Sequence, residues 1–172
     1  MNQNLKKKNL MIRLFFIIIL LLAPSLVSAT DQKVGQVTGL PIPRFVVIKS
    51  RDVNMRSGPG VTYQSKINYK CIFTPVEVKS EFDNWRLVKD SNGNEGWIHE
   101  AMLDGRRYVQ ILNNETLIFR LPDPRSQPIA RVEKGAIGKL VSCKNDWCQI
   151  SFGRSYKGWV NKDNLWGVYS YE

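Results

Sequence analysis

The sequence predicts an all-β protein made of two small β domains in tandem. Short runs rich in β-branched and aromatic residues alternate with turn residues, and none is long enough for a typical helix. Five such runs, read as strands, occupy residues 45–49, 53–56, 75–79, 85–88 and 96–99. The second half of the chain then repeats the pattern of the first, which indicates one β unit present twice.

The repeat is clearest at its aromatic and glycine positions. A spacing of 62 residues separates Trp85 from Trp147, Gly96 from Gly158, Trp97 from Trp159 and Leu103 from Leu165. A single copy of about 60 residues would bury only about 60% of the surface that its unfolded chain exposes. We therefore expect the two copies to pack on one another.

The first 29 residues have the organisation of a signal peptide. Four basic residues between positions 6 and 13 precede an apolar run over residues 14–22, and Val-Ser-Ala at 27–29 suits a signal peptidase. The apolar run is too short to span a bilayer comfortably. We predict cleavage after Ala29 and a periplasmic or envelope-associated protein. An uncleaved anchor, the sole predicted membrane contact, is the alternative.

The predicted mature chain is basic. Removing the four basic residues of the leader leaves 21 basic and 15 acidic residues, a net charge of +6. This charge is explained either by a solvated basic surface or by attraction to an anionic cell-wall polymer or membrane surface. The chain has no basic block of the kind that nucleic-acid binding uses, so we predict no nucleic-acid partner.

Three cysteines lie in the predicted mature chain. Cys143 and Cys148 flank Lys-Asn-Asp-Trp, a spacing that places them opposite each other on a tight hairpin. An oxidising compartment would let them form a disulfide worth roughly 2 kcal/mol. A metal site would need two further soft ligands, and only Cys71 and one histidine remain, so we predict no metal and no cofactor. Cys71 is expected to be a small buried residue, with a reactive thiol as the alternative.

Two glycine-rich stretches are interpreted as turns. The run NMRSGPG at 54–60 lacks the Gly-Lys-Ser/Thr of a phosphate loop and the third glycine of a dinucleotide fingerprint. We predict that Gly58 and Gly60 adopt φ values that other residues resist. For Asn92-Gly93 we predict a tight hairpin in which both residues have positive φ.

These motifs resemble the bacterial SH3 (SH3b) family. Its pattern V-N-x-R-x-G-P-G, then W-x-x-V, an N-G turn and G-W-[IV], is matched in the first copy by Val53, Asn54, Arg56, Gly58, Pro59, Gly60, Trp85, Val88, Asn92, Gly93, Gly96, Trp97 and Ile98. The resemblance implies two partly open, five-stranded SH3-like barrels. They would cover residues 45–104 and 107–168, after a linker at 30–44.

The second copy departs from the family pattern in its first loop. It keeps Arg120, Pro122, Trp147, Gly158, Trp159, Val160 and Leu165. It lacks the Gly-Pro-Gly and Asn-Gly turns, so we expect its first loop to be altered.

The resemblance places a candidate ligand site on the groove of the first copy. It would be lined by Arg56, Tyr63, Asp83, Trp85 and Trp97. Related barrels recognise extended peptides there by aromatic stacking, with a few charges setting the direction. The alternative for the tryptophans is a structural role as core residues or half-buried platforms.

We therefore predict an exported, non-catalytic binding or scaffolding module that recognises cell-wall peptide or an envelope protein through this groove. One alternative is a structural or regulatory partner whose groove is occluded by packing of the two domains. Another is a thiol hydrolase that pairs Cys71 with His99, although no third catalytic group is positioned. Outside that case, His99 is expected to be a strand-end residue hydrogen-bonded to the backbone.

Overall fold

Two antiparallel sheets of seven strands each account for the two halves of the described chain. The structure, a computed structural model, describes residues 33–153 and 156–172. The predicted signal peptide, residues 1–29, lies outside this part. Among the described residues, no helix has the length and apolar character needed to cross a membrane.

The first sheet, called here the first barrel, contains strands β1 to β7. They span, in order, Arg44–Ile48, Val53–Arg56, Ser65–Tyr69, Pro75–Phe82, Trp85–Lys89, Glu95–His99 and Leu103–Asp104, and a 3-10 turn covers Glu100–Met102. Their order across the sheet is β3-β2-β6-β5-β4-β1-β7.

The second sheet, the second barrel, contains strands β8 to β14. They span Tyr108–Ile111, Thr116–Phe119, Pro128–Val132, Ile137–Lys144, Trp147–Phe152, Tyr156–Asn161 and Leu165–Trp166, with a 3-10 turn at Lys162–Asn164. The order β10-β9-β13-β12-β11-β8-β14 repeats that of the first barrel strand for strand. The prediction of one β unit present twice in an all-β chain is confirmed.

Each barrel has a core of its own, formed by alternate residues of its strands. In β2, Val53 and Met55 are buried whereas Asn54 and Arg56 are only half-buried, as the pleat of a strand requires. The first core contains Ile42, Val46, Ile48, Val53, Met55, Val76, Val78, Val88 and Ile98. The second contains Val109, Ile111, Ile118, Cys148, Ile150, Val160 and Leu165. Neither cluster of described residues includes a tryptophan, although Trp85 is itself buried, with 9% of its surface exposed.

Two strands of the first barrel are additional to the five predicted. They are β3 and β7, which occupy the two ends of the strand order. The residues of β3 are exposed or half-buried throughout, so the sequence carries no clear apolar alternation there. Strand β7 has two residues and is defined by its pairing with β1.

The turn between β5 and β6 differs from the predicted tight hairpin. Gly93 has a positive φ of 84° but Asn92 does not. The carboxylate of Asp90 accepts hydrogen bonds from the backbone N–H groups of Asn92 and Asn94, both at 2.9 Å. A wider turn results, because the buried Asp90 side chain replaces the strained backbone that a two-residue turn would need.

The loop after β2 has the same backbone hydrogen bonds as the loop after β9, 63 positions further on. In the first loop, Ser57 N–H donates to the Gln64 carbonyl, Gly60 N–H to Gly58, and Tyr63 N–H to Gly60. In the second loop, Arg120 N–H donates to the Gln127 carbonyl, Asp123 N–H to Leu121, and Ser126 N–H to Asp123. All six bonds are 2.8–3.3 Å long. The expectation of an altered first loop in the second copy is therefore wrong for the backbone.

The glycines of the first of these loops serve packing rather than backbone freedom. Neither Gly58 nor Gly60 has a positive φ, so that prediction is wrong. A Cβ on Gly58 would lie 2.4 Å from the ring of Tyr63. In the second barrel the corresponding residues are Leu121 and Ser126, and the smaller serine leaves space for the leucine side chain.

The disulfide is found where the sequence predicts it. Cys143 and Cys148 are directly opposite each other on the hairpin of β11 and β12, and their sulfur atoms are bonded. Cys71 is a free thiol and is exposed, which corrects the expectation that it is buried. It lies in the loop before β4, where its carbonyl accepts a hydrogen bond from the hydroxyl of Thr74 at 2.9 Å.

Residues 33–43, called here the lead-in hairpin, fold against the first barrel. Val34 pairs with Pro41, and the backbone N–H of Gly35 donates to the carbonyl of Leu40 at 2.8 Å. Ile42 then joins the first core with 5% of its surface exposed. The sequence pattern predicts a linker at these positions, so the contact of Ile42 with the first core was not expected.

The buried carboxylate of Glu81 holds the lead-in hairpin in place. It accepts hydrogen bonds from the N–H groups of Val37 at 3.0 Å and Thr38 at 2.9 Å, and from the Thr38 hydroxyl at 2.7 Å. Arg44 pairs with it at 2.8 Å and Arg86 at 3.7 Å. Burial alone would raise the pKa of Glu81, but the hydrogen bonds from Thr38, Arg44 and Val37 outweigh burial and lower it to about 2.

The two barrels are in contact through the end of the chain. The Phe45 ring packs edge-on against Trp166, with centroids 5.1 Å apart, and against Tyr169 at 4.7 Å. The Trp166 indole donates to the carbonyl of Pro75 at 3.0 Å, and the Tyr169 hydroxyl donates to Glu77 at 3.0 Å. Burial and the neighbouring Glu77 carboxylate raise the pKa of Tyr169.

A second contact between the barrels is an aromatic stack. The rings of Phe73 and Tyr108 are nearly parallel, at an angle of 7° and a centroid distance of 4.4 Å. The guanidinium of Arg106 lies 4.7 Å from the centroid of Phe73. The expected packing of one copy on the other is thus carried by aromatic side chains.

Candidate binding site

The outer face of the first barrel carries a set of aromatic and basic side chains on three adjacent strands. Because alternate residues of a strand share a face, Trp97 and His99 of β6 lie on the same side. Across the strands, Arg56 of β2 pairs with Trp97, and Trp85 of β5 pairs with His99. Strand register therefore brings together residues that are up to 43 positions apart in the sequence.

A cleft of about 270 Å³, called here the first cleft, opens on this face. It is lined by Asp52, Val53, Asn54, Arg56, Val61, Trp85, His99 and Met102. Trp85 is 9% exposed and supplies an apolar wall, with its ring edge-on to His99 at a centroid distance of 5.3 Å. The cleft thus combines one aromatic wall with acidic, basic and imidazole groups.

His99 is oriented by the backbone that follows it. Its Nδ1 accepts a hydrogen bond from the N–H of Ala101 at 3.2 Å, which begins the 3-10 turn. In the neutral ring the hydrogen is therefore on Nε2, which is a donor. The prediction of a strand-end histidine bonded to the backbone is confirmed, and the same residue also lines the first cleft.

Arg56 is attached to the loop that follows β2. Its Nη1 donates to the carbonyl of Tyr63 at 2.8 Å. A guanidinium has five N–H donors, so this bond positions the group while others can serve a ligand. Its place opposite Trp97 is held in the second barrel by Phe119, which pairs with Trp159. Arg120, which the sequence repeat predicts as the counterpart of Arg56, is the residue after Phe119.

Comparison with protein families identifies the family of the chain. A family model described as bacterial SH3 domain matches residues 49–105 and again residues 113–167. The chain belongs to the bacterial SH3 domain family. The resemblance inferred from the motifs is confirmed, and so are the two tandem SH3-like domains. The boundaries at 45–104 and 107–168, and the linker at 30–44, stay predictions.

Bacterial SH3 domains generally act as non-catalytic binding modules, are known to bind cell-wall components and commonly occur in exported proteins. A general binding role follows for this chain. No curated protein sequence matches the chain.

Several solved structures show limited similarity to the chain. NlpC2 from Trichomonas vaginalis is 14% identical with a TM-score of 0.32, over 72% of this chain and 48% of that one. An NlpC/P60 family protein from Bacillus cereus ATCC 10987 is 11% identical with a TM-score of 0.30, over 70% and 55%. The structure of CBDP35 is 15% identical with a TM-score of 0.24, over 73% and 96%. The chain spans about half the length of the two NlpC proteins.

Two of the five predicted site residues line the first cleft. Arg56 and Trp85 both line the first cleft, whereas Tyr63, Asp83 and Trp97 do not. Tyr63 covers Gly58 and contributes its carbonyl to Arg56. Asp83 is exposed in the β4–β5 turn with a φ of 47°, and its carbonyl accepts from Arg86 at 2.7 Å. Trp97 is half-buried, 6.5 Å from Phe82 between ring centroids.

Sequence reasoning did not assign six further cleft residues to the site: Asp52, Val53, Asn54, Val61, His99 and Met102. Val53 and Asn54 belong to the family motif but were not placed in the site. For His99 a signal was available, because it is two positions after Trp97 on one strand. For Asp52, Val61 and Met102 no local signal exists. They come from two loops and a 3-10 turn that only the closed sheet brings together.

Proposed function

We propose that this bacterial SH3 protein is an exported, non-catalytic binding module that recognises an extended peptide through the first cleft. The peptide is the stem of the cell wall or a segment of an envelope protein. The observation that carries the proposal is a cleft with one tryptophan wall and oppositely charged groups at its border, Arg56 and Asp52, of which Asp52 also forms an exposed ion pair with Lys70. Such a cleft can stack an apolar side chain and pair with both charges of a zwitterionic peptide.

Among the described residues, none outside the first barrel lines the first cleft, so the cleft is open to solvent. All its lining residues belong to the first barrel, between positions 52 and 102. The second barrel contacts β1, β4, the loop before β4 and the β5–β6 turn, where the Ser91 hydroxyl donates to Gln110 at 2.8 Å. The lead-in hairpin contacts Glu81. This arrangement supports a ligand-binding role over the alternative in which domain packing occludes the groove.

A thiol hydrolase is not supported by the arrangement of Cys71 and His99. Cys71 lies in the loop before β4 and is not among the residues that line the cleft, whereas His99 is. Its imidazole Nδ1 already accepts the N–H of Ala101.

The test is co-sedimentation of residues 30–172 with intact cell-wall sacculi across a salt series. We expect the protein to be retained at moderate salt, because a charge-assisted contact inside a cleft is screened less than one at an open surface. Arg56→Gln should weaken binding about tenfold, because it removes the charged partner from that contact. His99→Asn should act in the same direction while keeping the turn intact, since Asn161 makes the same cap in the second barrel.

The matched control is Lys134→Gln, which removes the same charge from an exposed turn that does not line the cleft. Retention that disappears with salt and falls equally in Lys134→Gln and Arg56→Gln would contradict recognition by the cleft. Absence of retention at any salt would exclude the wall stem and favour a segment of an envelope protein as the ligand.

A further inference from the structure

The second barrel has a cleft at the same place as the first cleft, with different chemistry. This second cleft has a volume of about 430 Å³ and is lined by Asn113, Asn114, Glu115, Thr116, Leu117, Phe119, Pro124, Trp147, Asn161 and Asn164. A volume of this size lies within the range of about 300–1,000 Å³ that small-molecule sites occupy.

All eight residues of the first cleft have a counterpart in the second, which has Asn113 and Asn114 in addition. Asp52, Val53, Asn54, Arg56, Val61, Trp85, His99 and Met102 of the first cleft match Glu115, Thr116, Leu117, Phe119, Pro124, Trp147, Asn161 and Asn164 of the second. Even the backbone is shared at the first pair, since Asp52 and Glu115 have positive φ values of 62° and 54°. The repeat has therefore kept the cleft while changing its side chains.

The substitutions remove the basic groups from the cleft. Phe119 stands where the first barrel has Arg56, and Asn161 stands where it has His99. The single lining carboxylate, Glu115, forms an exposed ion pair with the guanidinium of Arg131 at 3.1 Å, so it already has a partner of opposite charge. The second cleft consequently favours a ligand without net charge.

Two aromatic rings form a right-angled corner in the second cleft. Phe119 and Trp147 are 5.5 Å apart between centroids, at an interplanar angle of 89°. In the first barrel, Trp85 has an imidazole beside it instead. An aromatic corner of this kind fits a ligand that has an apolar face on a rigid ring.

Amide groups supply the polar side of the cleft. The Oδ1 of Asn161 accepts the N–H of Asp163 at 2.9 Å, and the Oδ1 of Asn164 accepts the Nδ2 of Asn113 at 2.8 Å. These bonds orient both amides and leave their Nδ2 groups as donors, while the Oδ1 of Asn113 is an acceptor. The pattern suits hydroxyl and carbonyl groups on an uncharged ligand.

We propose that the second cleft binds a neutral saccharide. A pyranose ring has an apolar face of C–H groups, which fits the corner of Phe119 and Trp147, and a rim of hydroxyls, which fits the amides of Asn161 and Asn164. The proposal is independent of the peptide site in the first barrel, because the two clefts share no residue.

The test uses residues 30–172 and two neutral probes, the tetramer of N-acetylglucosamine and cellotetraose, with the indole N–H resonance of Trp147 as the readout. We expect a saturable shift of this resonance by at least one tetramer at millimolar concentration. The double variant Phe119→Arg/Asn161→His installs the side chains of the first cleft, which this barrel topology already accommodates. It should weaken saccharide binding at least about tenfold.

Lys134→Gln, in an exposed turn that lines neither cleft, is the control and should leave saccharide binding unchanged. Three results would overturn the proposal. They are no shift of Trp147 with either tetramer, an equal affinity of the folded Phe119→Arg/Asn161→His protein, or tighter binding of a blocked, uncharged tetrapeptide than of both saccharides.

Discussion

Gly58 and Tyr63 share one packing position in the loop after β2. The Tyr63 ring, which is half exposed, occupies the space that a side chain at position 58 would need. In the corresponding loop of the second barrel the sizes are reversed: Leu121 is at the position of Gly58, and the small Ser126 is at the position of Tyr63. At the residue scale the Gly-Pro-Gly motif is therefore explained by a neighbouring ring, since Gly58 has an ordinary φ.

We predict that Gly58→Ala destabilises the protein by about 1 kcal/mol, because the Tyr63 ring must move from its position. In a Tyr63→Ser background the same change should be neutral or stabilise by up to about 1 kcal/mol, since alanine then restricts only the unfolded chain. Urea denaturation of the four proteins measures this coupling. Strictly additive effects would show that the two residues do not compete for space.

At the element scale, Glu81 attaches the lead-in hairpin to the first barrel. One carboxylate with no exposed side-chain surface accepts three hydrogen bonds from the hairpin and pairs with Arg44. Such a group stabilises the folded state only while it is ionised. The attachment is therefore expected to depend on pH.

We predict that stability falls in acid because Glu81 becomes protonated. Its pKa is 4.5 when unfolded and about 2 when folded, so the native state binds fewer protons in this interval. The contribution, about 3 kcal/mol, is complete above pH 4.5 and is lost as the pH falls towards 2. Denaturant unfolding between pH 2 and 7 should show this slope in the native protein and a reduced slope in Glu81→Gln.

The control for this acid profile is Glu115→Gln, which removes a largely exposed carboxylate. Its profile should remain parallel to that of the native protein. An unchanged slope in Glu81→Gln would mean that the acid sensitivity has another origin.

At the scale of the whole molecule, the last residues of the chain join the barrels. Trp166 and Tyr169 pack on Phe45 and bond to Pro75 and Glu77 of the first barrel. Each barrel has only a small core, so this shared aromatic surface should stabilise both.

We predict that Trp166→Ala costs about 3 kcal/mol and loosens the first barrel although the change lies in the second. Hydrogen exchange measured by mass spectrometry should show faster exchange in β1 and β4. Trp159→Ala, which removes a half-buried tryptophan from the outer face of the second barrel, is the control. It should leave exchange in β1 and β4 unchanged. Equal acceleration by both variants would contradict a specific role for the Trp166 contact.

Much of the fold could be predicted from the chain. The spacing of 62 between paired tryptophans predicted the duplicated unit, and the Cys143–Cys148 spacing predicted the disulfide. The edge strand β3 was not predicted, because it has no strong apolar alternation. Six of the eight residues that line the candidate cleft were not predicted as site residues, and three of them, Asp52, Val61 and Met102, lie outside the motif strands.

The sequence by itself determined the β class, the repeat and the bacterial SH3 relationship, because alternation, turn residues and spacing are local properties. Only the tertiary structure decided that Arg56 aligns with Phe119 and that Glu81 binds the lead-in hairpin. Register across strands and buried hydrogen bonds depend on residues that are distant in the chain. For the same reason, the two clefts and their different chemistry became visible only once the sheets were closed.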